Sequence, residues 1–266
     1  MVLKVASWNV NSLNVRLPHV LQWLDSEKPD IVGLQETKLQ DEKFPYRAFV
    51  DQGYEAVYSG QKTYNGVALL AKQGHELRKV LTDIPNMEDP QRRIIAAEIA
   101  GIRILNLYVV NGQAVGTDKY DYKLDWLERV TAFIEADMKK YPKYMIMGDF
   151  NIAPDDADVH DPEAWKDQIL CSSPERAALD GIKELGFKDT FRLFEQKPQS
   201  FSWWDYRAAA FRRNIGLRID LLLASDQLAT SCTGSWVDRE PRTWERPSDH
   251  APVICEFDLA DFTQSS

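Results

Sequence analysis

Cysteine is scarce in this chain of 266 residues: only Cys171, Cys232 and Cys255 occur, far apart and never as C-x-x-C. That scarcity excludes a disulfide framework and a thiolate zinc site, and it suits reduced thiols in a cytoplasmic protein. Long apolar runs are also missing. Nothing approaches the roughly 20 residues needed to span a bilayer. The amino terminus turns polar too soon for a secretory signal. Histidine is limited to His19, His75, His160 and His250. Positive charge is outnumbered, with 32 basic against 41 acidic residues and a formal charge of −9. Such a deficit argues against a protein that passively coats nucleic acid, although a net charge does not say where the charges sit. No repeat, low-complexity stretch or Pro/Gly/Ser linker divides the chain, so one domain over residues 1–266 is expected.

What remains is the mixture of a globular protein with a real core: 44% apolar and 27% charged residues. Short β-rich runs alternate with helical patterns. Leu3 to Trp8 reads as a strand that meets Asn9. Leu17, Val20, Leu21 and Leu24 recur at helical spacing, and Lys28-Pro29-Asp30 ends that helix. Ile31 to Leu34 is a buried-type strand running into Gln35-Glu36-Thr37. Tyr54 to Tyr58, Val67 to Leu70, Ile94 to Ile99 and Ile102 to Val110 read as further strands, with a hairpin at Ala100-Gly101. A long helix is expected from Lys119 to Lys140, with Leu124, Leu127, Val130, Ile134 and Met138 as its apolar stripe. Tyr144 to Met147 delivers Gly148-Asp149-Phe150-Asn151. Ser172 or Ser173 caps a helix, with Pro174 near its start and Gly186 near its end. Arg218 to Ala224 and Ala251 to Phe257 complete the strands. Pro85 to Pro90 and Asp155 to Glu163 read as surface loops. The pattern predicts two mixed sheets packed together with helices outside.

The informative feature is where acids and amides fall. Asn9, Glu36, Asp149, Asn151, Asp220 and Asp249-His250 each follow or end a short apolar strand, where a rigid sheet presents reactive side chains. One carboxylate after one strand is ordinarily a solvated turn residue; five such places together, with two amides and a histidine, call for another explanation. Hard oxygen donors without clustered cysteine or histidine suit magnesium or manganese. Glu36 is the best single ligand candidate, isolated from basic neighbours until Lys38. Asp149 is placed to orient or deprotonate a water, and Asn151 to donate its amide to a phosphate oxygen. His19, His75 and His160 read as surface residues. His250 follows Ser248-Asp249, and Asp220 is a reasonable carboxylate partner to keep it charged.

The stretches SWNVNSLNVR (Ser7 to Arg16), GLQETK (Gly33 to Lys38), YNGVALL (Tyr64 to Leu70), QRRII (Gln91 to Ile95), MGDFNIAP (Met147 to Pro154), FSWWDYR (Phe201 to Arg207), GLRIDLLLAS (Gly216 to Ser225) and PSDHAPV (Pro247 to Val253) carry a resemblance over nearly the whole chain. In this order they resemble the exonuclease III family of metal-dependent apurinic/apyrimidinic endonucleases, within the endonuclease/exonuclease/phosphatase superfamily. The resemblance implies an α/β fold, a four-layer sandwich of two packed mixed β-sheets flanked by helices, with the site at one end of the sheets. It implies a metal site of Asn9, Glu36, Asp149, Asn151, Asp249 and His250, with Glu36 as principal ligand. Asn11 stands where some relatives place a metal-binding aspartate. Asp149 would prepare the attacking water, Asn151 would stabilise the transition state, and Asp220 would orient His250 against the scissile phosphate. Tyr108, in LYVVNG (Leu107 to Gly112), matches the family's active-site tyrosine; the alternative is a strand aromatic filling core. Trp203, Leu217 and Ile219 would line an apolar pocket for a flipped, baseless sugar, the alternative again being core packing.

The charge distribution fits that resemblance. Tyr206 to Arg218 carries Arg207, Arg212, Arg213 and Arg218 and no acid, whereas Asp149 to Asp167 carries seven acids and one lysine. A basic run beside aromatics is a candidate strip for phosphate contacts. The resemblance therefore implies a Mg²⁺-dependent DNA repair nuclease, with Mn²⁺ as the alternative cation. It would hydrolyse the phosphodiester 5′ to an abasic site, clean blocked 3′ ends, and remove nucleotides from 3′ termini in base excision repair. Its partner would be double-stranded DNA with abasic sites, nicks or blocked 3′ ends. No membrane and no obligatory protein partner are expected, and a monomer is the simpler expectation. The rivals are a superfamily phosphatase acting on an inositol phosphate or lipid, and a DNA-binding protein that has lost catalysis.

Overall fold

A computed structural model describes residues 2–85, 87 and 89–260. Among these residues twelve strands form two six-stranded sheets. In chain order the elements that frame the site are β1 (Val2–Asn9), α1 (Leu13–Glu27), β2 (Ile31–Gln35), α2 (Tyr46–Asp51), β3 (Tyr54–Ser59), β4 (Val67–Lys72), β5 (Arg78–Leu81), β6 (Ile94–Ile99), β7 (Ile102–Tyr108), α3 (Asp118–Asp137), β8 (Tyr144–Asp149), α4 (Pro162–Trp165), α5 (Ser173–Glu184), β9 (Phe187–Asp189), β10 (Asp220–Ser225), β11 (Cys232–Val237) and β12 (Val253–Asp258).

The first sheet runs β11-β12-β1-β2-β4-β3 and the second β5-β6-β7-β8-β10-β9. Each has one parallel pair at its centre, β1 with β2 and β7 with β8, and antiparallel pairs outside it. Alternation along the strands sends one set of side chains between the sheets. There Leu3, Val5, Ile31 and Leu69 meet Ile95, Ile104, Met147 and Leu222. The opposite faces bury against helices. Trp23 and Leu24 of α1 and Phe49 of α2 cover the first sheet. Trp126, Leu127, Val130 and Ile134 of α3, with Leu179 and Ile182 of α5, cover the second. The result is the expected sandwich of four layers, helix, sheet, sheet and helix.

Local signals account for the boundaries. Ala100 and Gly101, both at positive φ, make the hairpin between β6 and β7. Ser172 and Glu175 form a capping box that starts α5. Several expectations need correction. The strand expected to Val110 ends at Tyr108, and the one expected from Ala251 begins at Val253. The long helix ends at Asp137, not Lys140, because the Lys140 and Tyr141 amides bond carbonyls three residues back, those of Asp137 and Met138, in place of the helical fourth. The strand expected from Arg218 begins at Asp220, since the Arg218 amide donates to the Asp158 carbonyl and not to a sheet neighbour. The loop from Asp155 to Glu163 is not wholly on the surface: Asp158 is buried. His19, His75 and His160 are all half-buried; His19 stands edge-on to Trp244 with ring centroids 5.3 Å apart. The expected loop from Pro85 to Pro90 falls partly outside the described residues. Among the described residues no helix is long and apolar enough to cross a membrane.

Candidate active site

The two sheets bring their residues together at one end. Asn9 ends β1, Glu36 follows β2, and Asp249-His250 precede β12; these belong to the first sheet. Tyr108 ends β7, Asp149 ends β8 and Asp220 begins β10; these belong to the second. Gly148 permits the approach of β8 to β7. Its φ is +145°, and a Cβ there would stand 1.8 Å from the Leu107 carbonyl oxygen.

Contacts across the two sheets join the site. Asn9 Nδ2 donates to Glu36 Oε1 at 2.8 Å and to Asp149 Oδ2 at 2.9 Å, so one amide holds two carboxylates. The Asn9 Oδ1 accepts the Asn11 amide, which fixes that orientation. His250 Nδ1 bonds Asp220 Oδ2 at 2.9 Å, and its Nε2 lies 3.7 Å from Asp149 Oδ2. Glu36, Asp149 and His250 each offer a ligand atom, all within 4.8 Å of one another. Glu36 also pairs with Lys38 at 2.9 Å, so it is less isolated from basic neighbours than its sequence suggests.

Burial makes these groups electrostatically unusual. Burial pushes the Asp149 carboxyl up to about 7; the His250 imidazolium opposes the shift, while Asp220 and Glu36 add to it. Burial alone would lower His250, but Asp220 and Asp149 outweigh it and push the imidazole up to about 10. His250 is thus charged at neutral pH. Burial, with the nearby Glu36 and Asp149 carboxylates, raises the Tyr108 phenol and keeps it protonated. Arg93 lies over the Tyr108 ring, 4.6 Å from its centroid. The donor chemistry fits a hard divalent cation: the Glu36 and Asp149 carboxylates converge, burial penalises the charge on Asp149, and a cation between them would draw Asp149 back toward ionisation.

Other candidates have different surroundings. Asn151, at φ +48°, donates from Nδ2 to the Val109 carbonyl at 2.9 Å, and its Oδ1 accepts from Asn111 Nδ2 at 3.1 Å. Asp249 stands outside the Glu36–Asp149–His250 group; its oxygens accept from Trp203 Nε1 and Asn11 Nδ2, each at 3.0 Å. Asn11 Oδ1 accepts from Lys38 Nζ at 2.6 Å. Trp203 is partly exposed, bridged to both Leu217 and His250. Leu217 and Ile219 are buried beside it with Ala153, Leu170 and Cys171. Arg207, Arg212 and Arg213 are exposed. Arg218 is not part of that strip: it is buried, held by Asp158 and Asp189. Sequence reading missed Ser202, whose hydroxyl donates to Asp220 Oδ2 at 2.6 Å and accepts the Ile219 and Asp220 amides. Its place beside Trp203 in FSWWDYR was the available signal.

Next to Asn111 opens a groove of about 580 Å³ bounded by Arg93, Lys119, Tyr64 and five side-chain amides, with no acid among the described residues that line it.

A split-sheet sandwich with carboxylates, amides and an Asp-paired histidine at its open end defines a class. Residues 6–250 match the model of the endonuclease/exonuclease/phosphatase family, and the chain belongs to that family. Within it the chain falls in the exonuclease III group of nucleases. It is 36% identical to the exodeoxyribonuclease III of Haemophilus influenzae, over 96% of this chain and all of that one. Among solved structures it resembles the 3′ phosphatase NExo from Neisseria, bound to a product DNA hairpin, at 46% identity and a TM-score of 0.94, covering 96% and 99% of the two chains. It also resembles an AP endonuclease from Archaeoglobus fulgidus at 38% identity and a TM-score of 0.92, with the same coverage.

Proposed function

We propose that this nuclease is a Mg²⁺-dependent DNA repair enzyme, with Mn²⁺ as an alternative cation. It hydrolyses the phosphodiester 5′ to abasic sites and removes blocking groups and nucleotides from 3′ ends in base excision repair. The observation that carries the proposal is the clasp of Asn9 on Glu36 and Asp149 beside the charged His250–Asp220 pair. Glu36 and Asp149, with His250 beside them, would hold the cation, which supplies charge neutralisation at the phosphate and the leaving oxygen. Asp149 takes the proton of the attacking water. His250, held by Asp220, donates from Nε2 to a phosphate oxygen, and Tyr108 donates its hydroxyl proton to another. Asn151 serves the transition state from beside Asp149. Displacement is direct, with water as nucleophile and no covalent enzyme intermediate.

The acid-free groove beside Asn111 and the exposed Arg207, Arg212 and Arg213 suit a DNA backbone, because phosphate contacts position a duplex without reading sequence. Trp203 would be the wall against a baseless sugar, with Leu217 and Ile219 behind it. Their burial with Leu170 favours a second weighting, in which 3′-end processing outpaces abasic-site incision. NExo, the relative described as a 3′ phosphatase, is in keeping with that weighting.

The test is a product profile on abasic, nicked, 3′-phosphorylated and recessed duplexes, with Mg²⁺, with Mn²⁺ and with EDTA. The expected outcome is cation-dependent incision leaving a 3′-hydroxyl at the abasic site, with removal of the 3′ phosphate. Failure to act on any of the four at high enzyme excess overturns the proposal. A fast 3′ phosphatase with negligible abasic incision selects the second weighting.

A further inference from the structure

Lys123 is fully buried on the inner side of α3, an environment lysine occupies only when paired. Its Nζ donates to the Asn151 carbonyl at 2.6 Å, to the Asn111 carbonyl at 3.2 Å and to the Glu175 carboxylate. All three ammonium protons are thereby used. Glu175 is equally committed: it also accepts the Leu170 and Ser172 amides and the Ser172 hydroxyl. Gly112 packs on the lysine stem, where a Cβ would stand 3.0 Å from Lys123 Cδ.

The two carbonyls belong to the loops that leave β7 and β8, the parallel pair ending in Tyr108 and Asp149. The same loops carry Asn111 and Asn151, whose side chains bond one another. Asn151 adopts a left-handed backbone, which asparagine tolerates better than most residues other than glycine, and the bonds around it fix that conformation. Its amide is held by Asp149 Oδ1 at 2.9 Å and its carbonyl by Lys123. A buried ion pair is a poor device for stability alone, because apolar residues of similar volume often serve as well. Its distinctive contribution here is direction: one cation fixes two carbonyls on neighbouring loops.

We infer that Lys123, anchored by Glu175, is a positioning residue for the nuclease reaction, setting the Asn111 and Asn151 amides relative to Asp149. The inference rests on the nuclease reading above and acts through Asn151.

The decisive comparison is a double-mutant cycle in the full chain. Lys123→Met with Glu175→Leu removes both charges together, in wild-type and Asn151→Ala backgrounds. In the wild-type background kcat falls about 10²-fold, the scale of a misplaced group, while KM holds. The melting temperature falls alike in both backgrounds, because Glu175→Leu also releases the Leu170 and Ser172 amides. In the Asn151→Ala background the same pair costs nothing further. Equal cost in both backgrounds, or undiminished kcat in the folded double variant, overturns the inference. Should the double variant not fold, Glu175→Gln loosens the anchor while keeping the ammonium. Its kcat loss must then vanish in the Asn151→Ala background, and persistence there overturns the inference. Hydrogen exchange separates this result from failure of the nuclease reading itself. If wild-type protein cuts no DNA, the variants still must speed exchange at the Asn151 and Ala153 amides while β8 stays protected; unchanged exchange there overturns the positioning role.

Discussion

At Asp149 reactivity and stability oppose each other. Its folded pKa is raised from 3.8 to about 7. An acid raised in this way contributes stability that is full below its unfolded pKa and is lost as pH rises through the folded one. In EDTA, wild-type stability should therefore carry a downward slope between pH 3.8 and about 7 that Asp149→Asn lacks. That variant should melt higher than wild type at neutral pH without a cation, yet lose nearly all cleavage. Thermal scans across pH check the first statement, and a lower melting temperature for the variant would refute it. Asp149 and His250 stand out in the sequence because each sits at a strand boundary within a short polar motif. Lys123, Ser202 and Lys38 do not. The bonds of Lys123 and Ser202 reach carbonyls, amides or carboxylates elsewhere in the chain, and no local pattern reveals where those groups point. Lys38 is hidden differently, because only the left-handed backbone at Glu36 and Lys38 folds its ammonium back.

Among elements, β8 carries the tightest constraint. Gly148→Ala would drive a methyl group into the Leu107 carbonyl at a φ that alanine resists. The expected cost exceeds about 3 kcal/mol, measurable by urea unfolding. Asp158→Asn tests the strand start at β10 in the same way. It weakens the carboxylate that Arg218 shares with Arg192, leaving buried positive charge underpaired. A loss of about 3–5 kcal/mol is expected, with cleavage chemistry retained in whatever fraction stays folded. Strand alternation and the capping residues made most elements legible before folding. The start of β10 was not, because Arg218 reads as a basic surface residue until Asp158 and Asp189 are seen around it. Nor could the sequence order of strands reveal that β12 lies between β11 and β1.

For the whole molecule the net charge of −9 masks a local division. Arg207, Arg212 and Arg213 stand in solvent, while Arg103 and Arg218 are held inside by acids. Replacing the three exposed arginines with alanine should leave the melting temperature unchanged and weaken DNA binding. For every phosphate that goes unneutralised in the variant, the log–log salt dependence of binding should flatten by about 0.9 in slope. An unaltered slope in a binding titration would remove them from the DNA face. Two packed mixed sheets with helices outside were legible from alternating strands and helices, and the four layers with a site at one end of the sheets followed from the family resemblance. Which sheet supplies which residue was not legible, since it depends on how the strands are ordered and packed. The sharing of the site between both sheets has a consequence during synthesis. Glu36 and Asp149 are made early, but His250 enters the site only when β12 slots between β1 and β11. A nascent chain that has emerged through β11 holds both carboxylates and still lacks the imidazolium and the strand that joins β11 to the rest of its first sheet. Ribosome-bound intermediates and chains terminated before β12 should therefore be harmless to DNA, so the order of translation itself delays the cutting activity until the fold can close.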